Sequence, residues 1–187
     1  MIAATKLWWN LTRATANVSW VLILLSMVLG VLMTTRALKS IDRPAWMRDI
    51  HSWLGGLALI FAALHMVTLI FDSYVQFNIA DLLIPFSSSW KPLPVALGVF
   101  SFYALAAVQL TSLMMKKLSK TTWRRIHMLS YILFATVVVH ALTAGSDVGK
   151  RLFTLFSVIV TMVGAGASGT RYVMGRYSVR RQARQSA

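Results

Sequence analysis

Ile50-His-Ser-Trp-Leu-Gly-Gly-Leu-Ala-Leu-Ile-Phe-Ala-Ala-Leu-His-Met-Val-Thr-Leu-Ile-Phe71 is a run of 22 residues without Asp, Glu, Lys or Arg, and it carries a histidine near each end. At about 1.5 Å of helix per residue it is long enough to cross the ~30 Å hydrocarbon core of a bilayer. Four further uncharged runs lie outside it: Ala14–Thr35, Pro92–Met115, Ile126–Ser146 and Leu152–Thr170. Each exceeds the ~18 residues that a membrane-spanning helix requires. The fold class is therefore an all-α integral membrane protein, a five-span helical bundle. Ala14–Thr35 reads as a retained span: Trp8 and Trp9 precede it, and Arg36 and Lys39 follow it where a signal peptide would place small residues.

Charge supports the same reading and orients the chain. The sequence has nineteen Lys and Arg against five acidic residues, yet 57% of it is hydrophobic. Such an apolar chain does not fit a nucleic-acid binder, and the basic residues cluster at the ends of the apolar runs. One set of loops holds only Lys6, Arg13, Lys91, Lys150 and Arg151, whereas the other fourteen Lys and Arg fall on the opposite side. The positive-inside rule then places the N-terminus outside and the C-terminus inside. The expected organisation is an N-terminal interfacial segment at 1–17, a transmembrane bundle at 18–174 and a basic cytoplasmic tail at 175–187. The connection Ser73–Lys91 is expected to lie on the outer surface. There is no cysteine, so a disulfide framework, a Cys-ligated metal and a covalently attached c-type heme are all excluded.

The chain has four histidines, and all fall in two of the runs: His51 and His65 fourteen residues apart, His127 and His140 thirteen apart. A lone histidine in a span is often an interhelical hydrogen-bond partner. Four at matched depths point elsewhere. His51 and His127 are each the second residue of their run, while His65 and His140 each stand six residues before the end. Spans two and four run in the same direction, so His51 is level with His127, and His65 with His140. Neutral imidazole is a good iron ligand, and two level pairs about 20 Å apart suit two bis-histidine hemes, one near each leaflet. Zinc fits less well, because a tetrahedral site gathers four ligands at one point. One detail stays open: at about 100° per residue, thirteen residues leave His140 about 140° away from His127 around the helix. Either the hemes use different faces of span four, or a π-bulge or tilt corrects the angle.

Neighbouring residues have local rationales. Gly55 and Gly56 could admit a porphyrin or a close helix. Arg48, Arg124 and Arg125 stand at the cytoplasmic rim, where they can pair with heme propionates or act as positive-inside anchors. The Gly164-Ala-Gly-Ala-Ser-Gly169 stretch suits close helix packing.

The segment from Thr111 through Lys120-Thr-Thr-Trp-Arg-Arg-Ile-His127 to Tyr131, with His51-Ser-Trp-Leu-Gly-Gly56 leading to His65, resembles the ferric reductase-like transmembrane domain family. That family includes the membrane parts of NADPH oxidases and ferric reductases, and the heme-b subunit of a bacterial methionine sulfoxide reductase system. The resemblance covers roughly Val18 to Arg171 and implies a multi-pass protein of a cell membrane, such as a bacterial inner membrane, with two heme b groups. It assigns His51 and His127 to an inner heme iron and His65 and His140 to an outer one. Family members typically have six spans and this chain shows five. The span Ala14–Thr35 carries no arginine of the kind the oxidases place near oxygen at the outer heme.

The function so implied is a di-heme b-type transmembrane cytochrome. It would carry electrons from a cytoplasmic flavoprotein (a flavin reductase) or a quinol to an extracytoplasmic acceptor: ferric iron, dioxygen or a partner reductase. No flavin site is visible in this chain, since no Gly-rich phosphate loop follows a strand pattern. Besides membrane lipid, the donor and a possible extracytoplasmic reductase are the expected partners. Two other readings stand beside it: the anchor and electron-relay subunit of a quinol-linked oxidoreductase complex, and a non-heme ion transporter.

Overall fold

The computed structural model describes residues 2–35 and 44–185. Arg36, Lys39 and Arg43, part of the proposed cytoplasmic charge set, lie outside the described residues. Seven α-helices follow in order: α1 (Ile2–Thr35), α2 (Pro44–Phe71), α3 (Ile79–Leu83), α4 (Pro92–Leu113), α5 (Lys120–His127), α6 (Leu129–Ala144) and α7 (Arg151–Gln185), with no strand among the described residues. Five stretches are long and apolar enough to cross a membrane: Lys6–Thr35, Ala45–Phe71, Pro92–Leu113, Lys120–Ala144 and Arg151–Met174. The protein is an all-helical, five-span membrane bundle. α1 runs from Ile2 through Ala14 into the first span, and α7 continues past Met174 without a break.

The pattern of side chains on α2 shows how a bundle is built for lipid. Leu57, Ile60, Leu64, Val67 and Phe71 recur at three- and four-residue steps and are all exposed, which makes a stripe for acyl chains. His51, Ala58 and His65 recur at seven-residue steps on another stripe, with Ala58 wholly buried between the two histidines. Ser19 of α1 donates to the carbonyl of Ala58 at 2.9 Å, so α1 meets α2 at that midpoint. α1 packs along α2, α4 along α6, and α7 closes on α1, while α2 and α4 also touch. A core of Trp20, Ile23, Leu24 and Met27 from α1 joins Leu105, Leu133, Phe134, Val138 and Val160. In the glycine-rich part of α7, Gly164 faces the Phe134 ring of α6, where any side chain would collide. Gly166 and Gly169 of the same stretch face open space, so the close packing its sequence suggested is confined to Gly164.

The connection between α2 and α4 does not lie flat across the end of the bundle. Tyr103, roughly three turns into α4, donates to the carbonyl of Leu83 at 2.7 Å, and Phe86 meets Phe100 edge-on at 6.0 Å. The segment therefore hangs along the flank of α4. It is held there by a small core of Phe77, Leu82 and Val95 and by an Asn78–Asp81 capping box on α3.

At the same end, buried Asp147 in the α6–α7 loop receives hydrogen bonds from Arg13 of α1 and, at 2.6 Å, from Lys150. Burial pushes its carboxyl pKa up, but the two cations outweigh that and hold it below the usual carboxylate value. A depressed pKa stabilises the fold above the unfolded value of about 3.9 and loses that contribution as pH falls through the folded value. Asp147→Asn is expected to lower stability at pH 7 by about 1–2 kcal/mol. It should also flatten the fall in stability below about pH 4. Thermal unfolding in detergent at pH 7 and pH 4 measures both effects.

Candidate functional site

The structure brings the four histidines together in the two pairs that depth suggested. The rings of His51 and His127 stand 5.9 Å apart between centroids, inclined at 61°. Imidazole–metal bonds run to about 2 Å, and Nε2 lies roughly 1 Å from its ring centre, so two axial imidazoles on one metal would place their centroids about 6 Å apart. His65 and His140 lie within electrostatic reach of each other and line one cavity of ≈ 680 Å³ with Gly98, Leu105, Leu133 and Val137. Cofactor sites are commonly about 300–1,000 Å³ and largely apolar. α2 and α6 are not among the closely packed helix pairs of the described residues, and both line the cavity. Ligands come two at a time: no group of three or more metal-ligating side chains occurs among the described residues.

Each ring is held from behind at Nδ1. His51 Nδ1 lies 2.8 Å from the carbonyl of Ser26, His65 Nδ1 3.0 Å from that of Thr12, and His140 Nδ1 2.7 Å from that of Pro94. A carbonyl only accepts, so Nδ1 must carry the proton in all three rings. Nε2 is then left with a bare lone pair, the state a metal ligand needs. Thr12 and Ser26 are fourteen residues apart on α1, the spacing of His65 and His51 on α2. One helix thus supplies the backing for both rings of its neighbour.

A helix carbonyl already accepts from the amide four residues on, and it can take a second donor only where the ring has room. The residues four positions after Ser26, Thr12 and Pro94 are Gly30, Ala16 and Gly98. A Cβ on Gly98 would lie 2.6 Å from His140 Cε1, and one on Gly30 would lie 3.2 Å from His51 Cε1. These are the glycines that admit the rings. Gly55 and Gly56 do something else: the Gln109 amide of α4 covers them, with Oε1 2.5 Å from a Cβ built on Gly55. They accommodate a helix contact, the second of the two roles their sequence allowed. Gly30 and Gly98 could have been found by asking which glycines lie at histidine depth on neighbouring spans.

The angular mismatch of span four also has a structural answer. α5 ends at His127 and α6 begins at Leu129, with Met128 between them. There the amide of Tyr131 bonds the carbonyl of Met128 at 3.3 Å, one residue short of its α-helical partner. The break lies beside His127, between the two histidines of the span.

Around the pairs, Arg48, Arg124 and Arg125 are exposed and stand within one turn of His51 or His127. Arg13 is a finding the sequence runs concealed. α1 begins upstream of Ala14, so this arginine belongs to the first membrane helix and lines the cavity of His65 and His140 beside Asp147.

The site is a five-span helical bundle that pairs histidines at two depths, three of them with Nδ1 against a main-chain carbonyl. Residues 14–138 match the family described as ferric reductase like transmembrane component, and the chain belongs to that family. The family generally binds heme and supplies membrane electron-transfer components. The match includes His51, His65 and His127 and stops two residues before His140. No curated protein and no solved structure matches the chain.

Since a Cβ at Gly98 would overlap the His140 ring, Gly98→Ala is expected to displace that ligand, whereas Gly30→Ala requires only a small shift of His51. The bound heme per chain should fall in Gly98→Ala and change little in Gly30→Ala. Pyridine hemochrome assay of the purified variants measures the difference.

Proposed function

We propose that this chain is a di-heme b-type membrane cytochrome, with one heme held between His51 and His127 and the other between His65 and His140. It would relay electrons across the bilayer. The observation that carries this reading is the common state of the rings: paired at two depths, with the proton on Nδ1 where a carbonyl accepts it, and with Nε2 free. Heme iron bound there supplies one-electron redox chemistry, with a potential set by its axial ligands and their hydrogen bonds.

The chain's own residues have three tasks. The histidines offer Nε2, and the α1 and α4 carbonyls fix the orientation of the His51, His65 and His140 rings and raise their basicity. Leu105, Leu133 and Val137 give the cavity of His65 and His140 an apolar wall, and Arg13 and Asp147 give it a charged edge. Arg48, Arg124 and Arg125 are proposed to pair with the propionates at the His51–His127 level, and Arg13 stands beside the other level. The charge distribution supports an N-terminus outside, a C-terminus inside and a cytoplasmic His51–His127 level. On that orientation the donor is a cytoplasmic flavin reductase or a quinol. The acceptor is extracytoplasmic: ferric iron, dioxygen or a partner reductase.

Purified protein should contain about two b-type hemes per chain and show a reduced-minus-oxidised spectrum of low-spin bis-histidine heme. His65→Ala should halve the heme content and leave the remaining couple unchanged. Protein without heme, or loss of both hemes together, contradicts the reading. Reduction by a flavin reductase with NADPH but not by a short-chain quinol would assign the donor.

A further inference from the structure

Three of the four ring protons go to main-chain carbonyls, and one does not. His127 Nδ1 faces the side-chain oxygen of Ser112 at 3.3 Å. Ser112 stands in the last turn of α4, which ends at Leu113. The hydroxyl's own proton is committed: Ser112 Oγ donates to the carbonyl of Val108 at 2.7 Å. Its lone pairs therefore face His127 Nδ1–H and, at 3.4 Å, the indole Nε1–H of Trp123. Two donors share one neutral oxygen. The Trp123 ring also lies against the His127 ring, 5.1 Å between centroids at 27°, so the indole both stacks on the imidazole and competes with it.

We propose that Ser112 and Trp123 are positioning residues that make His127 the most weakly backed of the four ligands, and so set the reduction potential of the His51–His127 level apart from that of the His65–His140 level. The reasoning rests on the di-heme reading above and on hydrogen-bond chemistry. A strong acceptor behind an axial imidazole increases its basicity, and a more basic ligand favours the oxidised iron. At the other level both acceptors are carbonyls, at 3.0 and 2.7 Å. Here one acceptor is a hydroxyl at 3.3 Å, shared with a second donor. A weaker bond of this kind leaves His127 less basic and favours the reduced state of its level. Unlike a main-chain carbonyl, this acceptor is set by a side chain and can be altered by one substitution.

The test is a potentiometric titration of the purified holoprotein, with the two couples assigned by the His65→Ala variant. Ser112→Ala removes the acceptor and should raise the potential of the His51–His127 couple. The reduction equilibrium should move by about two- to tenfold, the span of one neutral hydrogen bond. Trp123→Phe keeps a ring on His127 but removes the competing N–H, which leaves the hydroxyl to His127 alone. It should shift the same couple in the opposite direction. Ser112→Thr, which retains a hydroxyl, should restore the wild-type value. The His65–His140 couple should stay fixed in all three.

Two bound hemes with neither couple moved, with both moved equally, or with Ser112→Ala and Trp123→Phe shifting the same way, overturn this inference and leave the di-heme reading standing. A wild-type protein without heme overturns both.

Discussion

An imidazole in the middle of a membrane has two nitrogens and no water to satisfy them. An unpaired polar group buried there costs about 1–3 kcal/mol, and a charged ring costs more. The bundle meets that constraint on one side only. The carbonyls of Ser26, Thr12 and Pro94 and the hydroxyl of Ser112 take up the Nδ1 protons. In the three carbonyl-backed rings that leaves Nε2 as the basic nitrogen. Every other feature of the site serves this arrangement: glycine or alanine one turn beyond each backing carbonyl, α1 lying against α2 in matching register, and separation of α2 from α6.

The helix carbonyls act as ligand-orienting groups because the bilayer leaves them so few competitors. In water, an i→i+4 carbonyl rarely holds a second donor of consequence. In lipid the same bifurcated bond is retained, since the alternative for the ring N–H is no partner at all. Satisfying the membrane's demand and preparing a metal ligand are here one interaction. His127 is the exception: its ring is backed in the last turn of α4 by the side chain of Ser112.

Much of this was legible in the sequence, because hydropathy and charge speak directly about lipid. The five spans, the all-helical class and the two levels of histidine follow from uncharged run lengths and from counting inward from their ends. What the sequence concealed depended on rotation and on neighbouring helices. Gly55 and Gly56 sit next to His51 in sequence, yet they face Gln109. Gly30 and Gly98 are far away in sequence, and they are the ones that face the rings. The thirteen-residue spacing hid a helix break at Met128 that no Pro or Gly announces. Arg13 looked like a residue of the flanking segment because a charge ends an uncharged run, but a helix does not end where an uncharged run does. One arginine paired with a buried carboxylate can remain in a membrane helix.

The most direct measurement is an experimental density map of the protein purified with its heme, at a resolution that separates porphyrin from side chains. The account predicts two macrocycles, one at each level, with iron bonded through Nε2 of His51 and His127 in one and of His65 and His140 in the other. Each Nδ1 should keep the backbone or hydroxyl partner found here. Iron bonded through Nδ1, a porphyrin ligated by histidines of different levels, or side-chain density filling the space between α2 and α6 would contradict it.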